Sequence, residues 1–159
     1  MTKDKLEVTL VGLLKEQGKW ISVAESFTGG GVGRRIVSVS GASSVYFEGI
    51  NAYNERAKMK RLGVLESTLK SHGAVSKETA YEMALGLLNT GNCDFAIATT
   101  GLAGPNSDES GLPVGHCCIA IGEKDKIEVH EYHLNGTREE ITEQGIDCAL
   151  DIAIKYLKK

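Results

Sequence analysis

With 159 residues and a net charge of −3, the chain has the size of one globular domain, and its charge gives no electrostatic basis for nucleic acid or an anionic membrane as the main partner. A composition of 42% hydrophobic and 25% charged residues is that of a soluble protein. No apolar run approaches the roughly 20 residues that span a bilayer, and MTKDKLEVTL at the start mixes charges where a signal peptide would be apolar, so the expectation is a cytoplasmic protein.

KLEVTLVGLLKEQG has apolar residues at 6, 8, 10, 11, 13 and 14 and a terminal Gly18, which predicts a helix with a glycine stop. WISVAES then reads as a buried strand, followed by glycines at 29–31 and a helix over VGRRIVSV. Strand, glycine turn and helix in that order place a site at the strand's carboxyl end. VYFEGINAYN is strand-like, and ERAKMKRLGV is a short helix that stops at Gly63. SKETAYEMALGLLNTG predicts a helix capped by Ser76, with Glu78 in its first turn and Gly91 at its end. CDFAIATTG is a buried strand entering a second glycine loop, GLAGPNSDESGLPVG. HCCIAIGEKDKIEVHEYHL reads as two antiparallel strands about a charged turn. The last segment, from Thr137, has capping-box spacing between Thr137 and Glu140 and lysines at its end. Helices and strands alternate and a hairpin comes late, which predicts a single α/β domain, a three-layer α/β/α sandwich with a mixed sheet.

The glycine loops carry the candidate chemistry. Ser26 can be a nucleophile, a helix cap or a turn residue. As a nucleophile it needs a base. His72, His116, His130 and His133 lie outside the glycine loops, and no GxSxG elbow is present. Lys58, five residues after Tyr53, is a second possible base, because a lysine desolvated among apolar groups gives up its charge more readily. Tyr53 could relay a proton or hold that lysine. Amides at Gly29 and Gly30, and a second nest at TTGLAGP that includes Gly101, suit a phosphate or an oxyanion, although they could simply make tight turns. GxxxxGK[ST] and GxGxxG are absent. Cys93, Cys117, Cys118 and Cys148 lack metal-ligand spacing and read as buried thiols, with Cys117 and Cys118 on opposite sheet faces. No metal and no cofactor is expected.

AESFTGG, GASSVYFEGINAYNERAK, HGAVS, ATTGLAGP and PVG follow the order seen in the CinA C-terminal domain family, and the resemblance runs from about residue 5 to 157. Characterised enzymes of that family are nicotinamide-nucleotide amidases of the PncC type. The resemblance implies a cytoplasmic hydrolase of pyridine nucleotide salvage that converts nicotinamide mononucleotide to nicotinic acid mononucleotide and ammonia. It implies Ser26 as the nucleophile, with Tyr53 and Lys58 as its catalytic partners. It also implies Thr100 near the substrate carbonyl or oxyanion, Arg138 on the phosphate, and Gly41 and Ser43 in a ligand-lining turn. A homodimer or larger assembly is implied as well. Phe27 stands where the family usually has cysteine, and PNSDESGL departs from the family's glycine-rich, lysine-bearing loop. These departures motivate the alternative of a nucleotide-binding module with little or no turnover. Many family members carry a further N-terminal domain, and none is expected within residues 1–159.

Overall fold

Alternation along the central strands sorts their side chains by size. In the computed structural model, which describes residues 5–159, five strands form one mixed sheet. They are β1 (Ile21–Glu25), β2 (Tyr46–Asn51), β3 (Phe95–Gly101), β4 (His116–Glu123) and β5 (Lys126–His133), in the order β2-β1-β3-β4-β5. β2, β1 and β3 run parallel, and β4 and β5 continue the sheet antiparallel. One face carries Ile21, Val23, Phe95, Ile97, Ile119 and Ile121, buried under α1 (Leu6–Gln17), α2 (Gly31–Val37) and α6 (Arg138–Leu157). The other carries Ala24, Ala96, Ala98, Cys118 and Ala120, which meet α3 (Glu55–Leu62), α4 (Glu66–His72) and α5 (Lys77–Leu88). This is the α/β/α sandwich that the alternating pattern predicts.

The small-residue face brings α5 close to the sheet, and α5 in turn holds α3. A Cβ added at Gly86 of α5 would come within 2.0 Å of the Leu62 carbonyl oxygen, so only glycine allows this approach of α3. The local signals at helix ends hold in most places. Asn54 accepts from the Ala57 amide to cap α3, Ser76 accepts from the Thr79 amide to cap α5, and Thr137 and Glu140 form the capping box of α6. Gly18 and Gly63 end α1 and α3 in the left-handed conformation.

Several details differ from the sequence expectation. β1 stops at Glu25, which leaves Ser26 in the turn beyond it, and β2 stops at Asn51, which frees Tyr53 and Asn54 from the strand. α5 ends at Leu88 with Asn89 as its cap, and Gly91 turns the chain two residues later. Residues 42–44 form a short 3-10 turn. α4 has no side-chain cap of its own; the carboxylate of Glu82, on α5, accepts from the Leu65 amide at 2.8 Å. A helix capped from another element leaves no local signal.

The chain leaves β1 through α2 on one face and returns from β2 to β3 through α3, α4 and α5 on the other. The carboxyl ends of β1 and β3 therefore open a crevice at a topological switch point, the place where ligands bind in such sheets. Both glycine loops begin there.

Candidate active site

Ser26 and Lys58 meet in this crevice. Lys58, on the first turns of α3, is only 2% exposed. Its Nζ lies 3.1 Å from Ser26 Oγ, 3.0 Å from the Ala52 carbonyl and 3.4 Å from the Tyr53 carbonyl. Burial pushes the ammonium pKa from 10.5 down to about 8, with Glu55 opposing the shift. A neutral amine has two N–H groups and one lone pair. The two carbonyls take the N–H groups, and the lone pair is left to accept the Ser26 hydroxyl proton. The four histidines are engaged elsewhere: His116 faces Glu131, His72 faces Glu78, His130 faces Glu128, and His133 packs on His116. None of them lines the Ser26 cavity.

A buried chain of hydrogen bonds fixes the serine turn. Glu25 accepts from Thr28 Oγ1 at 2.7 Å, from the Val32 amide at 2.8 Å and from the Gly33 amide at 3.0 Å. Thr28 has one hydroxyl proton and gives it to Glu25, so it accepts from Thr99 Oγ1 at 2.8 Å. Thr99 in turn accepts from the Ser26 amide at 3.3 Å. Glu25 thus occupies the positive end of α2 from within the protein. This corrects the expectation of a ligand-binding nest at Gly29 and Gly30. The Gly29 amide bonds to the Ser26 carbonyl, the first free amides of α2 hold Glu25, and neither glycine lines the cavity. Gly30 instead serves the backbone, and its φ of 94° turns the chain into the helix. Among the described residues, the amides of Phe27, Thr28 and Gly30 donate to no protein acceptor; of the three residues only Phe27 lines the cavity, and its amide directly follows Ser26, where an oxyanion donor would sit.

The crevice encloses about 230 Å3. Ser26, Tyr53, Lys58, Thr100, Gly101 and Arg138 all line it, together with Phe27 and the loop residues Asn106 and Asp108. Thr100 gives its hydroxyl proton to the Ala74 carbonyl at 2.7 Å, so it shapes the wall and has no proton left for an oxyanion. Tyr53 also departs from expectation. Its phenol is largely exposed and bonds Arg138 Nη2 at 3.1 Å, and only its backbone carbonyl reaches Lys58 and Ser26. The phenol braces Arg138 and makes no hydrogen bond to Ser26 or Lys58. Arg138, the first residue of α6, also donates to the Gly104 carbonyl, and its guanidinium sits at the cavity's edge beside the free amides of the helix start.

Gly41 and Ser43 are not part of this cavity. Their turn leads into Val45, whose carbonyl accepts from the Ile21 amide at the amino end of β1, whereas Ser26 follows its carboxyl end. Five residues of strand at ~3.3 Å each separate them by roughly 17 Å. A larger groove of about 660 Å3 between α1 and α6 is lined by the Glu7, Arg35 and Asp147 ion pairs and brings no base to a nucleophile. Sequence reasoning missed Glu25, Thr28 and Thr99. The available signal was a carboxylate ending an otherwise apolar strand and a threonine pair at the end of another, since strand alternation turns one of that pair inward.

The fold and the crevice define an α/β/α domain with a serine and a buried lysine in hydrogen-bond contact at the switch point. The CinA C-terminal domain pattern matches residues 3–157, and the chain belongs to that family. A protein of Caldicellulosiruptor saccharolyticus is 43% identical over 152 residues, which are 96% of this chain and 37% of the relative. A CinA-like protein of Kosmotoga olearia is 42% identical over 155 residues, 98% of this chain and 38% of the relative. The chain therefore spans little more than a third of the length of these curated relatives. Among solved structures, a CinA superfamily protein from Klebsiella pneumoniae superposes with a TM-score of 0.93 at 29% identity, covering 96% of both chains. The competence/damage inducible protein CihA from Agrobacterium tumefaciens gives 0.90 at 31% identity, covering 100% of this chain and 99% of the other. No helix among the described residues is long and apolar enough to cross a membrane.

Proposed function

We propose that the chain is an amidohydrolase that deamidates nicotinamide mononucleotide through a Ser26 nucleophile and a Lys58 base. The observation that carries this reading is the 3.1 Å contact between Ser26 Oγ and the Nζ of a buried lysine, whose pKa burial lowers to about 8. Lys58 takes the hydroxyl proton as Ser26 Oγ bonds to the carboxamide carbon. The Phe27 amide, next to Ser26 at the cavity wall, holds the oxyanion that forms. The Lys58 ammonium then gives its proton to the departing nitrogen, the C–N bond breaks, and ammonia leaves an acyl-serine ester. Water, deprotonated by the same lysine, attacks the ester and releases the acid and the free serine.

A cavity of about 230 Å3 suits the reacting end of a nucleotide, with the phosphate outward at Arg138. Bidentate pairing with phosphate oxygens is what a guanidinium fork does well. The test is ammonia release measured across nicotinamide mononucleotide, nicotinamide riboside, nicotinamide and unrelated linear amides. Turnover highest with the mononucleotide supports the proposal. Turnover only with amides that lack a phosphate overturns the substrate, and tight nucleotide binding without ammonia from any of them leaves a binding module of the same fold.

A further inference from the structure

We propose that His116, Cys118 and Glu131 form a binding site for a divalent transition-metal ion of the zinc type. His116 and Cys118 are two residues apart on β4, so their side chains share a sheet face. Glu131 on β5 is the register partner of Cys118 and brings a carboxylate to the same face. One donor atom from each residue lies within 4.8 Å of the other two. His116 Nε2 is 3.3 Å from Glu131 Oε2, and Cys118 Sγ is 4.0 Å from that oxygen. Tetrahedral zinc, with bonds of about 2.0–2.3 Å, holds its ligand atoms about 3.3–3.6 Å apart. The trio is therefore within a small side-chain adjustment of a three-ligand set.

The donors are chemically apt. Imidazole, thiolate and carboxylate together favour zinc over the hard cations magnesium and calcium. The His116 ring is buried, and its Nδ1 has no hydrogen-bond partner among the described residues, which a plain histidine–carboxylate pair does not explain. Cys118 is fully buried, but Glu131 is half exposed and opens the site to solvent. Its charged surroundings are mixed: Lys77 and Glu78, at the start of α5, both act on Cys118. On binding, the Cys118 S–H bond breaks, a metal–sulfur bond forms, and the proton leaves to solvent. His133, the register partner of His116, packs its ring against the His116 ring at 4.8 Å between centroids and lies outside the trio, which leaves the fourth position to solvent. The three ligands sit far apart in the chain or at a spacing of two, so the usual sequence patterns for zinc do not reveal them.

The site adjoins the catalytic crevice without sharing a residue with it. Cys118 is also the register partner of Thr100, and the His116 carbonyl accepts from the Leu102 amide of the cavity wall. A metal here would stiffen the strand from which that wall is hung.

The test is titration of chelator-stripped protein with cobalt(II), followed by displacement with zinc. Expected is one equivalent of bound cobalt, with a thiolate-to-cobalt charge-transfer band in the near ultraviolet and the intense visible bands of a tetrahedral site. Cys118→Ser should lose the charge-transfer band, whereas Cys93→Ser and Cys148→Ser should keep it. Glu131→Gln, a partly exposed change that leaves the core intact, should weaken binding by more than the roughly 10–100-fold seen for outer-shell partners, and it should remove the rise in melting temperature that zinc gives the parent. A charge-transfer band that survives Cys118→Ser, zinc stabilisation unchanged in Glu131→Gln, or no cobalt spectrum in the parent overturns the site. None of these readouts depends on turnover, so they succeed or fail independently of the amidase reading.

Discussion

Replacing Lys58 with methionine isolates the energetic consequence of a buried base. In the unfolded chain the lysine titrates at its ordinary 10.5, and in the folded protein at about 8. Between those values the unfolded state binds more protons, so the stability of the parent should rise with pH across that window. Lowering the pKa by about 2.5, at 1.36 kcal/mol per pH unit, gives roughly 3 kcal/mol of folding stability, withheld below pH 8 and recovered by pH 10.5. Lys58→Met lacks this group, and its stability profile should stay flat relative to the parent. Tyr46, Cys117 and Cys118, whose pKa values burial raises to about 12, titrate in both proteins and cancel in the comparison. Urea unfolding at a series of pH values from about 6.5 to 10.5 reads the difference. In the proposed mechanism the same pKa sets the rate. At pH 7 about a tenth of the lysine is neutral, against roughly 3 in 10,000 for an unperturbed side chain. Then kcat/KM should climb about tenfold per pH unit below 8 and level off above it. Parallel stability curves for the two proteins, or a rate still climbing at pH 10, would refute a neutralised Lys58.

Ser26→Ala should lower amide hydrolysis more than about a hundredfold while calorimetry still detects nucleotide binding; near-normal turnover would remove the serine as nucleophile. Arg138→Ala should raise KM for the nucleotide far more than it lowers kcat, and Tyr53→Phe should shift KM in the same direction by less, since the phenol braces the guanidinium. A large fall in kcat for Tyr53→Phe with KM unchanged would restore a proton-relay role. Thr99→Val leaves the Ser26 amide and Thr28 short of a partner and should cost about 1–3 kcal/mol in unfolding experiments, with a lower kcat.

The layered fold was legible because its signals are local and agree with one another: the spacing of α1, the glycine stops, and the capping box at Thr137. The Ser26–Lys58 pair was legible from residue type and from family resemblance, but its geometry was not. The burial of Lys58 follows from the approach of α3 to α5 over Gly86, a contact between elements that no spacing rule encodes. The Gly29 and Gly30 nest was misread for a related reason. A strand-turn-helix pattern predicts free amides at a helix start, but Glu25, seven residues before the first amide it accepts from, already fills them. Gly41 and Ser43 look like a ligand turn in sequence, and only the length of β1 shows that they sit at the opposite pole of the sheet from Ser26. α4 escaped notice because its cap comes from α5.

The ring of Phe27 next to Ser26 raises the question of how the cavity keeps its shape. The side chain is 6% exposed and points into a slot with Ala103, Cys117 and Ile141. Two glycines make that slot. A Cβ at Gly101 would lie 2.9 Å from the ring, and one at Gly145, in the middle of α6, would lie 2.5 Å from its tip. Glycine within a helix costs about 1 kcal/mol relative to alanine, whereas burying a phenylalanine side chain returns about 1.5–3 kcal/mol. Gly145 is thus tolerated in α6 because the ring needs the room. Gly145→Ala, stabilising by propensity alone, should instead destabilise the fold by about 1–3 kcal/mol through overpacking, with a loss of turnover as the ring is driven toward Ser26. Phe27→Cys on its own should also destabilise, through the cavity it leaves. Together the two changes should be less harmful than their sum, because the small side chain makes space for the new methyl group. Chemical denaturation of the four proteins in that cycle measures the coupling, and strictly additive losses would show that the glycine and the ring are not matched.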